Sequence, residues 1–226
     1  MKSFSIIIPV KEINDYLCES VPYLLALDYE NFEILILPNL VPSNLESIFI
    51  NERVKLISSG MVSPAIKRDL GAKQAKFEYL AFLDDDAYPK SDWLQVANKK
   101  FSNKKIVAIG GPGVTPPQSS LKEKVSGLFY ETLIGSGGLA YRYAPAKKGF
   151  YVKDYPSVNL IVQKDAFIEV GGFDNSFWPG EDTKFCLDLV KAGYKLWYEP
   201  TLVVYLHRRQ NFIEHFNLVG GYGLHR

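Results

Sequence analysis

The sequence AIKRDLGAKQAKFEYLAFLDDDAYP, at residues 65–89, contains the pattern that decides the fold. Its first part continues a helix, for which Ser63 and Pro64 supply the N-cap and the first helical residue. Residues 79–83 then form a short apolar run that is typical of a buried strand. Three aspartates, residues 84–86, follow this strand directly. The stretch therefore predicts a helix, a buried strand and an acidic turn in succession.

Short apolar runs alternate with helical patterns on both sides of this stretch. The predicted strands of the first half are residues 5–10, 33–37, 54–57, 79–83 and 106–109. The predicted helices are residues 13–27, residues 63–75 and a segment capped by Ser91. Strands that alternate with helices at this spacing indicate βαβ units. We therefore expect an α/β fold with a Rossmann-like, mainly parallel central sheet flanked by helices.

The pattern changes at Gly110, where the turn-rich sequence GGPGVTPPQSS begins. An amphipathic helix is predicted over residues 121–134, followed by a flexible GSGG. Further elements are a strand at residues 160–162, a helix at 181–192 that ends at Gly193, and strands at 194–198 and 202–206. Residues 1–110 and 111–226 are expected to be two halves of one domain.

Composition excludes several classes of protein. The 226 residues are 47% hydrophobic and 23% charged, which is typical of a globular protein and not of a disordered or coiled-coil chain. The formal net charge is only +1, so nothing indicates a nucleic-acid partner. Cys18 and Cys186 cannot form a disulfide scaffold or a cysteine zinc site, which favours a reducing compartment. No apolar run approaches the roughly 20 residues of a membrane helix.

The acidic run Asp84, Asp85 and Asp86 is the strongest chemical signal in the sequence. Ligands of open parallel sheets bind beyond the carboxyl ends of strands. Carboxylate oxygens suit Mg²⁺ or Mn²⁺, which keep coordination positions open for phosphate oxygens. A solvated acidic turn is the alternative, but the position at the end of a buried strand favours a metal and nucleotide site.

Two further features carry candidate chemistry. Glu181 and Asp182 begin a helix after Gly180, where carboxylates either cap the helix or act as a general base. His207 ends the last predicted strand and is either structural or a metal ligand. The candidate phosphate partners are Arg68, Arg208, Arg209 and Arg226.

Other catalytic signatures are absent from the sequence. The GSGG follows no predicted strand, so it is not a dinucleotide fingerprint. The chain has no Walker phosphate loop, no HExxH and no GxSxG.

Together these segments resemble the inverting GT-A glycosyltransferases of family 2 over essentially the whole chain. SIIIPVKEINDYL at residues 5–17 is similar to the family's first strand and nucleotide loop, VIIPxYN. Residues 65–89 resemble its RNxGxxxAxGEYxxFLDDDD stretch, with Arg68, Gly71 and Ala75 in register. Residues 161–200 resemble the acceptor-side block that ends in an ED helix.

The resemblance implies a role for each matching residue. Nucleotide-binding roles fall to Pro9, Val10, Glu12, Asn39, Arg68, Asp84 and Asp85. Asp86 and His207 would bind the Mn²⁺ or Mg²⁺ that bridges the diphosphate, and Asp182, supported by Glu181, would deprotonate the acceptor hydroxyl. Trp178 and Gly180 would lie on the acceptor side.

The sequence departs from the family pattern at several positions. Asn39 stands where an aspartate usually accepts a hydrogen bond from the base, and an amide both donates and accepts. Lys11 replaces a tyrosine, and Asp69 replaces the asparagine after the arginine. The QxxRW of processive polymerases is absent, which favours single-sugar transfer.

The resemblance implies a nucleoside-diphosphate-sugar donor, with UDP favoured, and a glycan or lipid-linked acceptor. The final GGYGLHR resembles the family's yGxxRG segment cut short, which implies C-terminal membrane helices and a cytoplasmic location at the inner membrane face. A lapsed sugar-nucleotide-binding domain and a nucleotidyltransferase are the alternatives. A nucleotidyltransferase would need a glycine-rich loop that PVKEIND lacks.

Overall fold

The computed structural model describes residues 1–177 and 179–208. Within them the strands are β1 Phe4–Pro9, β2 Phe32–Leu37, β3 Val54–Leu56, β4 Tyr79–Leu83, β5 Ala87–Pro89, β6 Ile106–Gly110, β7 Gly113–Val114, β8 Phe150–Val152, β9 Asn159–Gln163, β10 Lys195–Tyr198 and β11 Val204–Leu206. The helices are α1 Asp15–Leu25, α2 Pro64–Gln74, α3 Trp93–Lys100, α4 Leu121–Glu131, α5 Leu133–Ser136, α6 Lys164–Glu169 and α7 Glu181–Lys191. Short 3-10 turns lie at Ser47–Phe49, Ala140–Arg142 and Asn175–Phe177.

The central sheet of the described chain has eight strands in the order β3-β2-β1-β4-β9-β6-β10-β8. Strands β1 to β4 are mutually parallel, and β6 is parallel to β10. Strand β9 runs antiparallel between β4 and β6, and β8 is antiparallel to β10. This arrangement confirms the predicted α/β fold with a mostly parallel central sheet.

Both faces of this sheet are buried by helices. Ile6 and Ile8 of β1 pack into one apolar cluster with α1 and α3, whereas Ile7 packs into the opposite cluster with α2, α6 and α7. Neighbouring strand residues point to opposite faces, so a strand that is apolar at every position must be covered on both sides. The continuous apolar run at residues 6–10 reflects this double burial.

The helix starts follow the capping residues that the sequence provides. The Ser63 hydroxyl accepts a hydrogen bond from the Ile66 N–H, and Pro64 is the first residue of α2. Asn14 caps α1 through the Leu17 N–H. Gly193 adopts a φ of 88° just after α7, as predicted for a glycine that ends a helix.

Three features differ from the prediction. The helix predicted over residues 121–134 ends at Glu131, and Gly135 and Ser136 of the predicted flexible GSGG belong to the short helix α5. The last predicted strand is shorter than expected and lies in a second, three-stranded sheet of order β5-β11-β7. Strands β5, β7 and β8 are additional elements whose few residues carry no periodic pattern.

None of the helices in the described ranges has both the length and the apolar character that a bilayer crossing requires.

Candidate active site

The candidate site lies at the carboxyl ends of β1, β2 and β4, where the chain passes from buried strands into polar loops. Val10 follows β1, Asn39 follows β2, and the acidic run follows β4. The parallel alignment of these strands brings residues from distant parts of the chain to one edge of the sheet. Helix α7 contributes Glu181 and Asp182 to the same region, because both Glu181 and Asp84 contact Arg68.

Arg68 connects the acidic turn to helix α7. Its Nη2 donates to Asp84 Oδ1 at 2.8 Å, and its Nη1 donates to Glu181 Oε1 at 3.1 Å. The arginine is only 5% exposed, so both ion pairs are shielded from solvent on its side. Its role in the structure is to hold two carboxylates from different elements together, since a guanidinium presents several donors in a fixed plane.

Asp85 is held by the loop after β1. Asn14 Nδ2 donates to Asp85 Oδ2 at 2.5 Å, while Asn14 Oδ1 caps α1. Burial raises the pKa of the Asp85 carboxyl, the neighbouring charge of Asp84 adds to this, and the hydrogen bond from Asn14 opposes it. Asp85 therefore fixes the acidic turn against α1.

Lys67 places a buried ammonium beside Asn39. Its Nζ donates to the Val10 carbonyl and to Asn39 Oδ1, both at 2.6 Å. Burial lowers the pKa of the ammonium, and the charge of Asp85 works against this shift. Because Lys67 can only donate, the contact fixes the Asn39 amide with its oxygen toward the lysine and its NH₂ group facing away.

Asp182 lies in the first turn of α7, after Gly180, whose φ of 127° is a conformation that favours glycine. Its Oδ1 accepts from the Thr183 N–H at 2.7 Å and its Oδ2 from the Ser157 N–H at 3.4 Å. Burial raises the pKa of Asp182, and the adjacent charge of Glu181 raises it further. A carboxylate with a raised pKa is a better proton acceptor than a solvated one.

His207 lies beside Asp86 because β11 pairs with β5. The His207 N–H donates to the Asp86 carbonyl at 3.0 Å, which extends the antiparallel ladder by one residue. The ring nitrogens face Glu123 Oε1 at 3.3 Å and Glu19 Oε2 at 3.0 Å. The pairing of two short strands thus joins the backbones of the two predicted metal ligands.

An acidic field surrounds this histidine. Burial and the charges of Glu123, Asp86, Glu19 and Asp85 raise the pKa of the Tyr16 phenol, whose ring lies 4.8 Å from the His207 ring.

The predicted phosphate partner Arg208 packs between Tyr130 and Tyr143 and donates to Thr115 and Gly113. Among residues 1–177 and 179–208, no three His, Cys, Asp or Glu side chains form a ready metal site.

The remaining predicted residues are less informative. Pro9 is the buried last residue of β1, and Glu12 is exposed in the loop after it. Trp178, Arg209 and Arg226 lie outside the described residues.

Sequence reasoning missed Asn14 and Lys67. Neither lies in an acidic or glycine-rich pattern, although Lys67 directly precedes Arg68 in the stretch that resembles the family motif.

Asp69, which departs from the family pattern, has a structural role in this fold. Its Oδ1 accepts from the Phe173 N–H at 3.0 Å and so holds the turn before α7 against α2. A side chain at Gly172 would place its Cβ 2.7 Å from this oxygen.

The fold is that of the GT-A glycosyltransferases. A crystal structure of GalNAc-T7 with UDP, GalNAc and Mn²⁺ has a TM-score of 0.68 over 92% of this chain and 44% of that chain, at 16% identity. The mannosyltransferase PcManGT from Pyrobaculum calidifontis, in complex with GDP-Man and Mn²⁺, has a TM-score of 0.66 over 91% of this chain and 57% of that chain, at 14% identity. At these identities the likeness establishes the fold.

Sequence comparison then identifies the family. The profile described as "Glycosyltransferase like family 2" matches residues 5–222, so the chain belongs to that family and the predicted family is confirmed. A pre-mycofactocin glycosyltransferase of Mycobacterium tuberculosis is 35% identical over 149 residues, 65% of this chain and 31% of that protein. The chain thus matches less than a third of the length of this relative.

A longer match comes from Methanococcus voltae. Its dolichyl N-acetyl-alpha-D-glucosaminyl phosphate 3-beta-D-2,3-diacetamido-2,3-dideoxy-beta-D-glucuronosyltransferase is 26% identical over 239 residues, 99% of this chain and 72% of that protein.

Proposed function

We propose that the protein transfers one sugar from a nucleoside-diphosphate sugar to a hydroxyl group, with inversion at the anomeric carbon. The observation that carries the proposal is the Arg68 bridge, which holds Asp84 of the nucleotide-side turn and Glu181 of the catalytic helix within one ion-pair network. Because Asp182 follows Glu181 in the first turn of α7, this contact supports a position for the candidate base near the acidic turn. Donor and acceptor would meet between the two elements.

Asp86 and His207 support a divalent-cation site, in which the ion would replace one of the two glutamate contacts of the His207 ring. Carboxylates and an imidazole are suitable ligands for Mn²⁺ or Mg²⁺, and Asp86 and His207 are joined by a backbone hydrogen bond within an acidic field. Such ions are usually held by one or two carboxylates together with substrate phosphates, so a complete protein cage is not required. When bound, the ion would neutralise charge on the leaving diphosphate.

Asp182 acts in this proposal as the general base. It accepts the proton of the attacking hydroxyl while the backbone donors of Thr183 and Ser157 keep its carboxylate oriented. Its partial burial excludes water from one side and raises its pKa, which increases its basicity. Glu181 keeps Arg68 in place and adds to this shift through its charge.

The structural neighbours and one relative support the choice of donor and acceptor. The structural neighbours were solved with UDP in one case and GDP-Man in the other, so both nucleotides remain in the test, with UDP as the first candidate. The Methanococcus voltae relative has a dolichyl phosphate-linked sugar in its name, which supports a lipid-linked acceptor. We also propose that the two sequence halves at residues 1–110 and 111–226 bind donor and acceptor, respectively.

The experiment that tests the function compares Asp182→Asn with Asp188→Asn on the same helix. Asp188 pairs with Lys184 and lies outside the candidate site, so it is a matched control. With Mn²⁺ and a panel of nucleotide sugars, D182N should release nucleoside diphosphate about 10²- to 10⁴-fold more slowly than wild type. D188N should be unchanged.

Nucleotide binding separates the alternatives. D182N should still bind the nucleoside diphosphate with wild-type affinity, since the base contacts the acceptor. A wild-type protein that binds a nucleotide sugar but never turns it over would instead be a lapsed binding domain. Equal turnover by D182N and wild type would remove Asp182 from the base role.

A further inference from the structure

Helix α4 is oriented with its polar face inward. Its buried residues are Glu123, Ser126 and Gly127, whereas Leu121, Val125 and Leu128 are 78%, 48% and 63% exposed. These three apolar residues are spaced four and three apart, so they form one continuous stripe along the helix. A helix of a globular protein normally buries such a stripe, and α4 exposes it.

Specific contacts fix this orientation. Glu123 forms a capping box with Ser120, and its second carboxylate oxygen contacts His207 Nδ1 at 3.3 Å. Gly127 lies against Thr115, since a Cβ at this position would come within 2.0 Å of Thr115 Oγ1. The helix cannot rotate its leucines inward without breaking all of these contacts.

The exposed apolar surface continues into α5. Leu133 and Ile134 are 77% and 86% exposed, directly after α4. We define the α4–α5 surface as these two residues and the α4 stripe, with the flanking lysines Lys122 and Lys124. At 100° per residue, Lys122 and Lys124 fall on opposite sides of the stripe, and both are exposed.

The surrounding chain is strongly basic. Residues 117–154 contain six Lys or Arg, two Glu and one Asp, a formal charge of +3, whereas the whole chain carries only +1; Asp154 pairs with Arg142, so the lysines provide the exposed positive charge. Lys147, Lys148 and Lys153 of this segment are exposed. One of the two glutamates, Glu123, is buried in its capping box. An apolar stripe flanked by lysines within a basic segment matches the interface of an anionic membrane.

We propose that the α4–α5 surface binds the surface of an anionic lipid membrane, with its leucines among the acyl chains and its lysines at the headgroups. Because Glu123 of the same helix contacts His207, membrane binding would bring the candidate site next to the bilayer. A lipid-linked acceptor could then reach the site without leaving the membrane. The binding itself does not depend on the transfer reaction.

The test is co-sedimentation of the full chain with vesicles. Wild type should bind phosphatidylcholine vesicles that contain phosphatidylglycerol, and should bind pure phosphatidylcholine vesicles more weakly. The double variant Leu128→Glu, Ile134→Glu should lose on the order of tenfold in partitioning for each apolar side chain removed. Lys122→Gln with Lys124→Gln should reduce binding to the anionic vesicles only, and added salt should do the same to wild type.

The matched control changes exposed aliphatic residues elsewhere. Ile50 and Met61 are 73% and 90% exposed, so Ile50→Glu with Met61→Glu introduces the same charge without touching the α4–α5 surface. This control should bind vesicles like wild type. Nucleotide-induced thermal stabilisation of L128E/I134E should equal that of wild type, which separates a failure of membrane binding from a failure of the donor site.

Two results would overturn the proposal. The first is wild-type protein that sediments with neither kind of vesicle. The second is a wild-type dimer that L128E/I134E converts to a monomer, as measured by light scattering, because a second copy would then cover the stripe.

Discussion

At the scale of single residues, two buried cations organise the site. Lys67 joins the ends of β1 and β2 through Val10 and Asn39, and Arg68 joins the acidic turn to α7. These two residues are adjacent in the sequence, but their side chains contact different parts of the site. Both depend on acceptors contributed by distant segments, so their environment could not be derived from local sequence.

The Asn39–Lys67 contact predicts an effect on base selection. The amide turns its NH₂ group away from the lysine, so it offers a donor where Asn39→Asp would offer an acceptor. If the base lies beside residue 39, N39D should bind UDP more tightly through the uracil N3–H. One added hydrogen bond is worth about 1 kcal/mol, or roughly fivefold.

Isothermal titration of UDP, CDP and GDP checks this prediction. Asn51→Asp, at an exposed position outside the site, is the control and should leave all three affinities unchanged. An N39D protein with the same preference as wild type would show that residue 39 does not contact the base.

Asp182 predicts the acidic limb of the pH profile. The reaction needs its ionised form, so turnover should fall as pH decreases through its pKa. Burial and Glu181 raise this pKa above the ordinary aspartate value, so the loss should begin at a higher pH than for a solvated aspartate. The pH dependence of kcat/KM measures it, and Glu181→Gln should move the limb to lower pH. An acidic limb at the same pH in E181Q and wild type would contradict the assignment of Asp182 as the general base.

At the scale of elements, the turn after α6 packs against Asp69 of α2. Gly171 and Gly172 both have positive φ, 90° and 74°, but their surroundings differ. A Cβ on Gly171 would meet nothing within 4 Å, whereas one on Gly172 would lie 2.7 Å from Asp69 Oδ1 and 3.2 Å from the Phe167 ring. Comparing an alanine substitution at each of these two glycines therefore separates the cost of backbone strain from the cost of steric conflict.

Gly171→Ala should destabilise the protein by about 1 kcal/mol through backbone strain alone. Gly172→Ala should cost about 1–3 kcal/mol more, because the added methyl group overpacks the contact with Asp69. Urea denaturation of both variants measures the difference. Equal free energies of unfolding would show that Asp69 and the Phe167 ring adjust to the methyl group at no cost.

At the scale of the whole molecule, the order of buried strands and capped helices was predictable from sequence. The runs at residues 5–10 and 79–83 and the caps at Ser63 and Gly193 all follow from local chemistry. The pairing of β5 with β11 was not predictable, since three residues near position 88 meet three near position 205. This pairing places His207 beside Asp86. Sequence resemblance identified both residues as candidates, but only the tertiary structure shows that they are adjacent.

The orientation of α4 was also not predictable from the sequence. The sequence predicts an amphipathic helix over residues 121–134, and hydrophobic periodicity alone would turn its leucines inward. The capping box, the His207 contact and the close approach at Gly127 reverse that choice. Local patterns identify the helix, and long-range contacts decide which face it buries.

The most direct test of the central claim, a metal-assisted nucleotide site at the carboxyl edge of the sheet, is thermal stability with UDP, GDP, CDP and dTDP, each with and without Mn²⁺. A ligand at 100 times its Kd stabilises the native state by about 2.7 kcal/mol. We predict that one nucleotide raises the melting temperature only when Mn²⁺ is present, and that Asp86→Asn abolishes this rise. Folded wild-type protein that no nucleotide stabilises, or a full rise in D86N, would contradict the claim.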